Sequence, residues 1–290
     1  MPVRLGPCLK PRTQTFLLTL LAMTAFAGNS LLCRLALKHT SIDPASFTFV
    51  RITSGALTLW LITRVRTGAD GAAGSWQSAF ALFVYAAAFS FAYVTLSAAT
   101  GALLLFGAVQ ATMIGYGLWS GERLRLRQSA GLICAFAGLA GLLLPGVSAP
   151  PALGCILMLS AGMAWGIYSL RGKGAGDPTR VTAGNFLRAV PVAAMLSAAA
   201  FPWISLDGPG ICYAISSGAF ASGAGYAIWY TALRGLKATS AASVQLSVPV
   251  IAATGGIVFL GEAITLRLLI ASIAILGGIA LVIFDKQSAS

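Results

Sequence analysis

Apolar residues fill long continuous stretches of this chain, and short segments rich in glycine, proline or charge separate them. Two stretches without any Asp, Glu, Lys or Arg, 71–121 and 128–170, are 51 and 43 residues long. Each has room for two helices of the roughly 20 apolar residues that cross a bilayer. Continuous rather than alternating runs favour helices over a β-barrel. The pattern predicts ten transmembrane helices, near 14–36, 44–63, 76–95, 99–119, 128–145, 152–171, 181–203, 209–233, 238–260 and 267–284.

The composition indicates that lipid is the solvent of these helices. Hydrophobic residues make up 58% of the chain and charged residues only 9%. A soluble domain carries about a quarter charged residues, so the chain lacks the charge to cover a water-facing surface. We therefore expect an all-α membrane protein whose main partner is the lipid bilayer.

The net charge of +12 is distributed as in a membrane protein and does not indicate nucleic-acid binding. With the N-terminus placed inside, fourteen of the 19 Lys and Arg residues fall on the inner side. Two, Arg51 and Arg188, lie within predicted spans, and three fall outside: Arg34, Lys38 and Arg267. This asymmetry follows the positive-inside rule and predicts that both termini are cytoplasmic.

The sequence also contains an internal repeat. Residues 121–127, GERLRLR, recur 140 positions later as residues 261–267, GEAITLR. Five spans per copy is an odd number, which inverts the second copy in the membrane. We expect a cytoplasmic segment at 1–13, a first five-helix repeat at 14–146, an inverted second repeat at 147–284 and a cytoplasmic tail at 285–290.

The acidic residues of the repeated turns, Glu122 and Glu262, are predicted on opposite membrane faces, so they cannot form a catalytic pair. We expect them to cap helices or to pair with Arg125, Arg127 or Arg267. The sequence contains no nucleophile–base arrangement, metal-ligand spacing or phosphate loop. We expect no metal, no cofactor and no enzymatic activity.

Two features of the repeats resemble a known family. A Gly-Glu turn follows the fourth and ninth spans, and a Phe-x-Arg motif, ending at Arg51 and Arg188, lies in the second and seventh. Over about 14–284 the chain resembles the drug/metabolite transporter superfamily, and in particular its ten-helix EamA branch, which includes an exporter of aromatic amino acids. The resemblance implies a central cavity lined by both halves and alternating access by rocking and bending of helices.

The embedded arginines Arg51 and Arg188 allow two interpretations. A guanidinium can hold a substrate carboxylate through two parallel hydrogen bonds. Alternatively, both arginines are structural and bond to carbonyl groups at helix ends. Because both repeats carry the residue, we favour the structural interpretation. The serines and glycines of 216–225 in the eighth span predict a helix that can bend there.

The candidate cavity residues are aromatic or polar side chains within the central spans. Tyr85, Phe89 and Tyr93 are spaced four residues apart and form one stripe on a helix. Buried amides are costly unless they are bonded, so they face protein or a cavity. The full candidate set is Asn29, Tyr85, Phe89, Tyr93, Gln110, Trp165, Tyr168, Trp229 and Gln245.

No Asp or Glu falls inside a predicted span, which disfavours a bare cationic substrate and an embedded proton relay. We expect a monomeric exporter in the bacterial inner membrane that moves small hydrophobic or aromatic amino acids and related metabolites. Efflux of amphipathic drugs is the second interpretation. A membrane-embedded enzyme acting on lipid intermediates is the third, and the lack of acidic clusters argues against it.

Overall fold

The computed structural model describes residues 11–67, 73–121, 123–146, 149–172, 176–236 and 244–287. These residues are helical, with no strand among them. The helices are α1 (Pro11–His39), α2 (Pro44–Thr67), α3 (Trp76–Tyr93), α4 (Ala98–Trp119), α5 (Leu126–Leu143), α6 (Ala152–Gly172), α7 (Pro178–Ala199), α8 (Gly208–Leu233), α9 (Ser247–Leu260) and α10 (Leu266–Gln287).

A helix lies in each predicted span, and eight of the helices in the described residues are long and apolar enough to cross a membrane. The other two are α3 and α9. Helix α9 is apolar but has 14 residues, and 238–243, the start of its predicted span, lies outside the described residues. Helix α7 ends four residues early, and a 3₁₀ turn at Phe201–Trp203 follows it.

The predicted bend of the eighth span corresponds to a π-helical segment. Helix α8 is α-helical over Gly208–Ser216 and Gly225–Leu233, and its middle section, Ser217–Ala224, is π-helical. The wider π turn rotates all later side chains about the helix axis relative to an uninterrupted α-helix. Such segments are common at functional sites.

The most extensive helix contacts join the first five helices to the last five. Helix α5 packs along α10 in antiparallel orientation, with Gly131 beside Gly278 and Gly138 beside Ala274. Helix α2 packs along α7 in the same manner, since the Ser197 hydroxyl donates to the carbonyl of Ala45 at 3.2 Å. Small residues allow this close backbone approach, as is usual between membrane helices.

Two further kinds of helix contact occur twice, each time between one helix of the first half and one of the second. Helix α3 packs against α6, and α1 packs against α8. In both pairs the chains are antiparallel: Arg171 at the end of α6 contacts Ser78 at the start of α3, and Gly235 after α8 lies beside Thr15 at the start of α1. Helix α4 also packs against α6, and α9 packs against α1. If each helix of the first half is exchanged with its counterpart in the second half, α1 with α6, α3 with α8 and α4 with α9, the same helix pairs are in contact.

Equivalent turns use equivalent chemistry. The carboxylates of Asp43 and Asp177 cap α2 and α7 by accepting hydrogen bonds from backbone N–H groups of the first helical turn. The glycines of the two Gly-Glu turns, Gly121 and Gly261, have φ values of 92° and 61°. Such values cost other residues free energy, which explains why glycine ends both helices.

Candidate functional site

A cavity lies between helices of both halves. It takes up roughly 400 Å³ of space that contains no protein atoms, a volume that includes its opening. Ring side chains from α1, α3, α4, α6 and α8 form most of its wall. The lining residues are Phe26, Asn29, Ser30, Tyr85, Phe89, Leu105, Phe106, Trp165, Ala221, Tyr226 and Gln245.

The indole of Trp165 is the centre of the aromatic wall. It stacks on Tyr168, with ring centroids 5.3 Å apart, and on Tyr226, with centroids 5.1 Å apart. The ring of Tyr85 lies 4.9 Å from the same indole in a tilted orientation. Packed rings hold one another in place, so this wall is rigid and offers flat apolar faces.

A chain of buried hydrogen bonds forms the polar end of the cavity. The Ser217 hydroxyl donates to Oδ1 of Asn29 at 2.6 Å, and Nδ2 of Asn29 donates to the hydroxyl of Tyr85 at 3.3 Å. Nη2 of Arg51 donates to the same tyrosine hydroxyl at 3.1 Å. We call Arg51, Tyr85, Asn29 and Ser217 the polar cluster. Its members come from α2, α3, α1 and the π-helical segment of α8, so both halves contribute to it.

Arg51 lies behind the cavity wall and is only 2% exposed. Its guanidinium carbon is 5.3 Å from the ring centre of Tyr85 and 4.8 Å from that of Phe89. Each ring face stabilises the cation by about 0.5–2 kcal/mol. Burial of a charge without a counter-ion costs several kcal/mol, so the rings offset only part of that cost. Nη1 of Arg51 is buried and has no hydrogen-bond partner among the described residues.

Arg188 carries the matching motif but lies in a different environment. It is half-buried, and Nη1 donates to the carbonyls of Ala73 at 2.9 Å and Gly184 at 3.0 Å. These are backbone contacts where α7 meets the residues before α3. The structural interpretation therefore describes the contacts of Arg188, whereas Arg51 contacts a cavity-lining tyrosine.

Five of the nine predicted cavity residues line this cavity: Asn29, Tyr85, Phe89, Trp165 and Gln245. The other four are buried but lie behind or beside it. Tyr168 stacks on Trp165, and Trp229 meets Phe26 edge-on at 6.0 Å. Tyr93 donates to the carbonyl of Ala98 at 3.4 Å, and Gln110 lies on α4 one turn beyond the lining residue Phe106.

Sequence reasoning missed six lining residues: Phe26, Ser30, Leu105, Phe106, Ala221 and Tyr226. Tyr226 belongs to the aromatic group of the eighth span that also contains Trp229. An α-helical spacing cannot tell which of the two faces the cavity, because the π-helical segment before them rotates both. Phe26 and Ser30 flank Asn29 at spacings of three and one, a signal that could have added Phe26.

An ion pair joins several helices at one end of the bundle. Nε of Arg34 lies 3.1 Å from Oε1 of Glu262, and the two side chains are 12% and 9% exposed. Oε2 of Glu262 accepts from the N–H of Ala98 at 2.8 Å, and Nη1 of Arg34 donates to the carbonyls of Tyr93 and Val94. We call Arg34 and Glu262 the clamp, because together they join the ends of α1, α3 and α9 to the start of α4.

The clamp corrects one expectation. Glu262 accepts from the first turn of α4, which agrees with the expected capping role, but its ion pair is with Arg34 and not with Arg267. The partners are 228 positions apart in the chain, and only the fold brings them together. Glu122, the matching residue of the first repeat, lies outside the described residues, so its expected partners Arg125 and Arg127 stay predictions.

Comparisons with known proteins identify the type of protein that carries this cavity. The EamA-like transporter family matches residues 152–284. The uncharacterized protein PA1977 of Pseudomonas aeruginosa is 58% identical over 277 residues, which cover 95% of this chain and 96% of that protein. The threonine/homoserine exporter RhtA of Escherichia coli K12 is 34% identical over 118 residues, or 39% of each chain.

A solved structure shares the fold of this chain. One crystal structure superposes with a TM-score of 0.67 at 20% identity and covers 93% of this chain and 97% of that chain. The apolar helices described above make this a multi-pass protein of the bacterial inner membrane. The family match and the similarity to PA1977 show that the chain belongs to the EamA-like transporter family.

Proposed function

We propose that this transporter exports small hydrophobic or aromatic amino acids and related metabolites through the cavity between its two halves. The observation that carries the proposal is the cavity itself, in which rigid aromatic faces surround one fixed polar end. An amino acid has the same division, with an apolar side chain and a polar head. A pocket that combines apolar walls with a few placed polar groups is the usual form of a small-molecule site.

We propose further that the chain consists of two inverted five-helix repeats. Helix pairs α5–α10 and α2–α7 join equivalent helices of the two halves, and both pairs are antiparallel. Equivalent helices that run in opposite directions are what an inverted repeat requires. Transporters built in this way bind substrate at the repeat interface near the membrane midplane.

We propose the topology with both termini in the cytoplasm because the distribution of Lys and Arg follows the positive-inside rule. This topology puts Arg34 and Glu262 on the same, outer side, in agreement with their direct contact. With this topology the clamp closes the periplasmic end of the bundle. Export by alternating access then requires the clamp to open, and the π-helical segment of α8 supplies a place where a helix can bend.

The class of substrate is supported by two observations. One relative, RhtA, is named as an exporter of threonine and homoserine, and both compounds are amino acids. The residues that line the cavity include no acidic side chain that would attract a bare cation. A monomer is sufficient for this mechanism, because one chain supplies both halves of the cavity.

Flux from proteoliposomes tests the proposal. Liposomes that contain the purified protein are preloaded separately with radiolabelled tryptophan, phenylalanine, threonine and methionine, and efflux is followed over time. We expect protein-dependent efflux of at least one of these amino acids, and competition by the others. Protein-free liposomes and a Trp165→Ala variant serve as controls. Efflux no faster than from protein-free liposomes for all four would rule out amino-acid export.

A further inference from the structure

The hydroxyl of Tyr85 has both of its acceptor positions occupied. A guanidinium can only donate hydrogen bonds, so the 3.1 Å contact from Arg51 uses one lone pair of the phenolic oxygen. The side-chain NH₂ group of Asn29 also only donates, and its 3.3 Å contact uses the other lone pair. The oxygen of the same amide accepts from the Ser217 hydroxyl at 2.6 Å.

The proton of this hydroxyl is therefore left for a further partner. None of the hydrogen bonds among the described residues has the Tyr85 hydroxyl as its donor, and Tyr85 lines the cavity. A buried donor without an acceptor is costly. The Tyr85 hydroxyl can therefore donate one hydrogen bond to a bound molecule, but its oxygen cannot accept a further one.

The positive charge of Arg51, which lies behind Tyr85, also favours an acceptor at this end of the cavity. Arg51 is buried without a counter-ion, and its Nη1 has no hydrogen-bond partner among the described residues. The acidic side chains that the structure describes lie elsewhere: Glu262 pairs with Arg34, Asp43 and Asp177 cap helices, and Asp207 directly precedes α8. An uncompensated positive charge beneath an O–H donor favours a negatively charged acceptor and disfavours an ammonium group.

We propose that the polar cluster is a carboxylate subsite, in which the hydroxyl of Tyr85 donates to the substrate carboxylate and Arg51 supplies the compensating charge. The substrate is thereby oriented with its carboxylate at Tyr85 and its side chain against Trp165 and Tyr226. This inference rests on the proposed function, since it assigns one end of the amino-acid cavity. It extends that function to a chemical rule: the transporter selects for an α-carboxylate, and Tyr85 is the residue that recognises it.

Matched ligand pairs test the subsite by binding, which does not depend on transport. Phenylalanine, phenylalaninamide and 2-phenylethylamine share one ring and differ at the carboxyl position. Their affinities for the purified protein are measured through quenching of tryptophan fluorescence. We expect the wild type to bind phenylalanine roughly tenfold or more tightly than the amide, because a charge-assisted hydrogen bond is lost. It should bind the amine most weakly.

The Tyr85→Phe variant removes the donor and keeps the ring. We expect it to lose most of the preference for phenylalanine over the amide. The matched control is Tyr230→Phe, which removes a partly buried hydroxyl that accepts from Thr182 at 3.4 Å and does not line the cavity. The control should keep the wild-type preference. An unchanged preference in a folded Tyr85→Phe variant would overturn the assignment.

If Tyr85→Phe does not fold, the wild-type panel alone remains decisive, because equal or tighter binding of the amide or the amine contradicts a carboxylate subsite. The two proposals also fail separately. Carboxylate-selective binding without efflux of any amino acid would overturn the proposed export and leave the subsite standing. Efflux of amino acids and their amides at equal rates, with equal affinities, would overturn the carboxylate subsite and leave the proposed export standing.

Discussion

Arg51 and Arg188 end the same Phe-x-Arg motif in equivalent helices, yet the structure gives them different surroundings. Arg188 is half-buried and donates to two backbone carbonyls. Arg51 is 2% exposed, faces two aromatic rings and donates to a tyrosine hydroxyl that lines the cavity. A repeated motif thus conserves position in the helix without conserving the partners of the side chain.

If the two halves are an inverted repeat, as we propose, this difference would let the cavity bind one substrate in a single orientation. Two identical halves would present the same polar group twice, and an amino acid could then bind in two opposite orientations. Here the polar cluster forms around Arg51 alone, because Tyr85, Asn29 and Ser217 meet on its side of the cavity. The different surroundings of Arg51 and Arg188 would thus determine which way a bound amino acid points.

Loss of Arg51 should have the largest effect. Replacement by Gln removes the buried charge and one donor to Tyr85, and truncation of one partner of a buried charged contact costs about 2–5 kcal/mol. We expect efflux of phenylalanine and threonine to fall at least roughly thirtyfold in Arg51→Gln. Partial recovery is expected in Arg51→Lys, which restores the charge without the planar fork.

Efflux rates and size-exclusion profiles, measured on the same preparations, separate lost transport from lost folding. A well-folded Arg51→Gln protein with wild-type efflux would contradict the proposed role of Arg51 in transport and its difference from Arg188.

Truncation of Trp165 should have the next largest effect. The indole packs against three tyrosine rings, and Trp165→Ala removes the face on which the substrate side chain would lie. We expect affinity for phenylalanine to fall about tenfold, with a smaller loss for threonine, since stacked ring contacts contribute about 0.5–1.5 kcal/mol beyond area burial.

The matched control for Trp165 is Trp119→Ala, because Trp119 is 85% exposed at the end of α4. It should leave both affinities at the wild-type value. Equal losses for phenylalanine and threonine in Trp165→Ala would show that the indole supports the fold and does not contact the substrate side chain.

The clamp allows a test of the direction of opening. Glu262→Gln removes the ion pair with Arg34, and coupling between such contacting partners is about 0.5–3 kcal/mol. We expect the state open to the periplasm to become severalfold more populated. The probe is a cysteine introduced as Ser30→Cys at the cavity wall, in a background with the native cysteines replaced by serine.

Labelling by a membrane-impermeant maleimide from the periplasmic side then measures how often the cavity opens. Labelling should rise severalfold in Glu262→Gln and rise less in Glu262→Asp, which keeps a carboxylate at this position. The same rate in all three proteins would mean that the clamp does not control access.

Arg188 should show the smallest effect on transport. Arg188→Gln weakens charged hydrogen bonds to the carbonyls of Ala73 and Gly184, and we expect a loss of about 1–3 kcal/mol in stability. A thermal melt in detergent should shift downward, while the ratio of affinities for phenylalanine and its amide keeps its wild-type value. A change in that ratio would place Arg188 in the substrate site and erase the contrast with Arg51.

Much of the architecture follows from the sequence, because lipid forces continuous apolar helices and the polar turns mark their ends. The helical stripe of Tyr85, Phe89 and Tyr93 was also correctly placed on one helix, but the cavity is shorter than the stripe. Tyr93, two turns from Tyr85, bonds to the carbonyl of Ala98 instead.

Contacts between distant segments could not be predicted. The clamp joins residues 228 positions apart, and local patterns suggested Arg267 in place of Arg34. The selection of Tyr226 over Trp229 depends on the π-helical segment, which changes the face that α8 presents. Pairing and helix register are set by the packed bundle as a whole, so a single sequence holds no direct sign of them.

The most direct test is an experimental structure with bound phenylalanine, since the central claim concerns where the substrate lies and which way it points. We expect the ligand in the cavity between α1, α3, α6 and α8, with a carboxylate oxygen within hydrogen-bond distance of the Tyr85 hydroxyl and the ring against Trp165. A ligand bound outside this cavity, or one with its ammonium group at Tyr85, would contradict it.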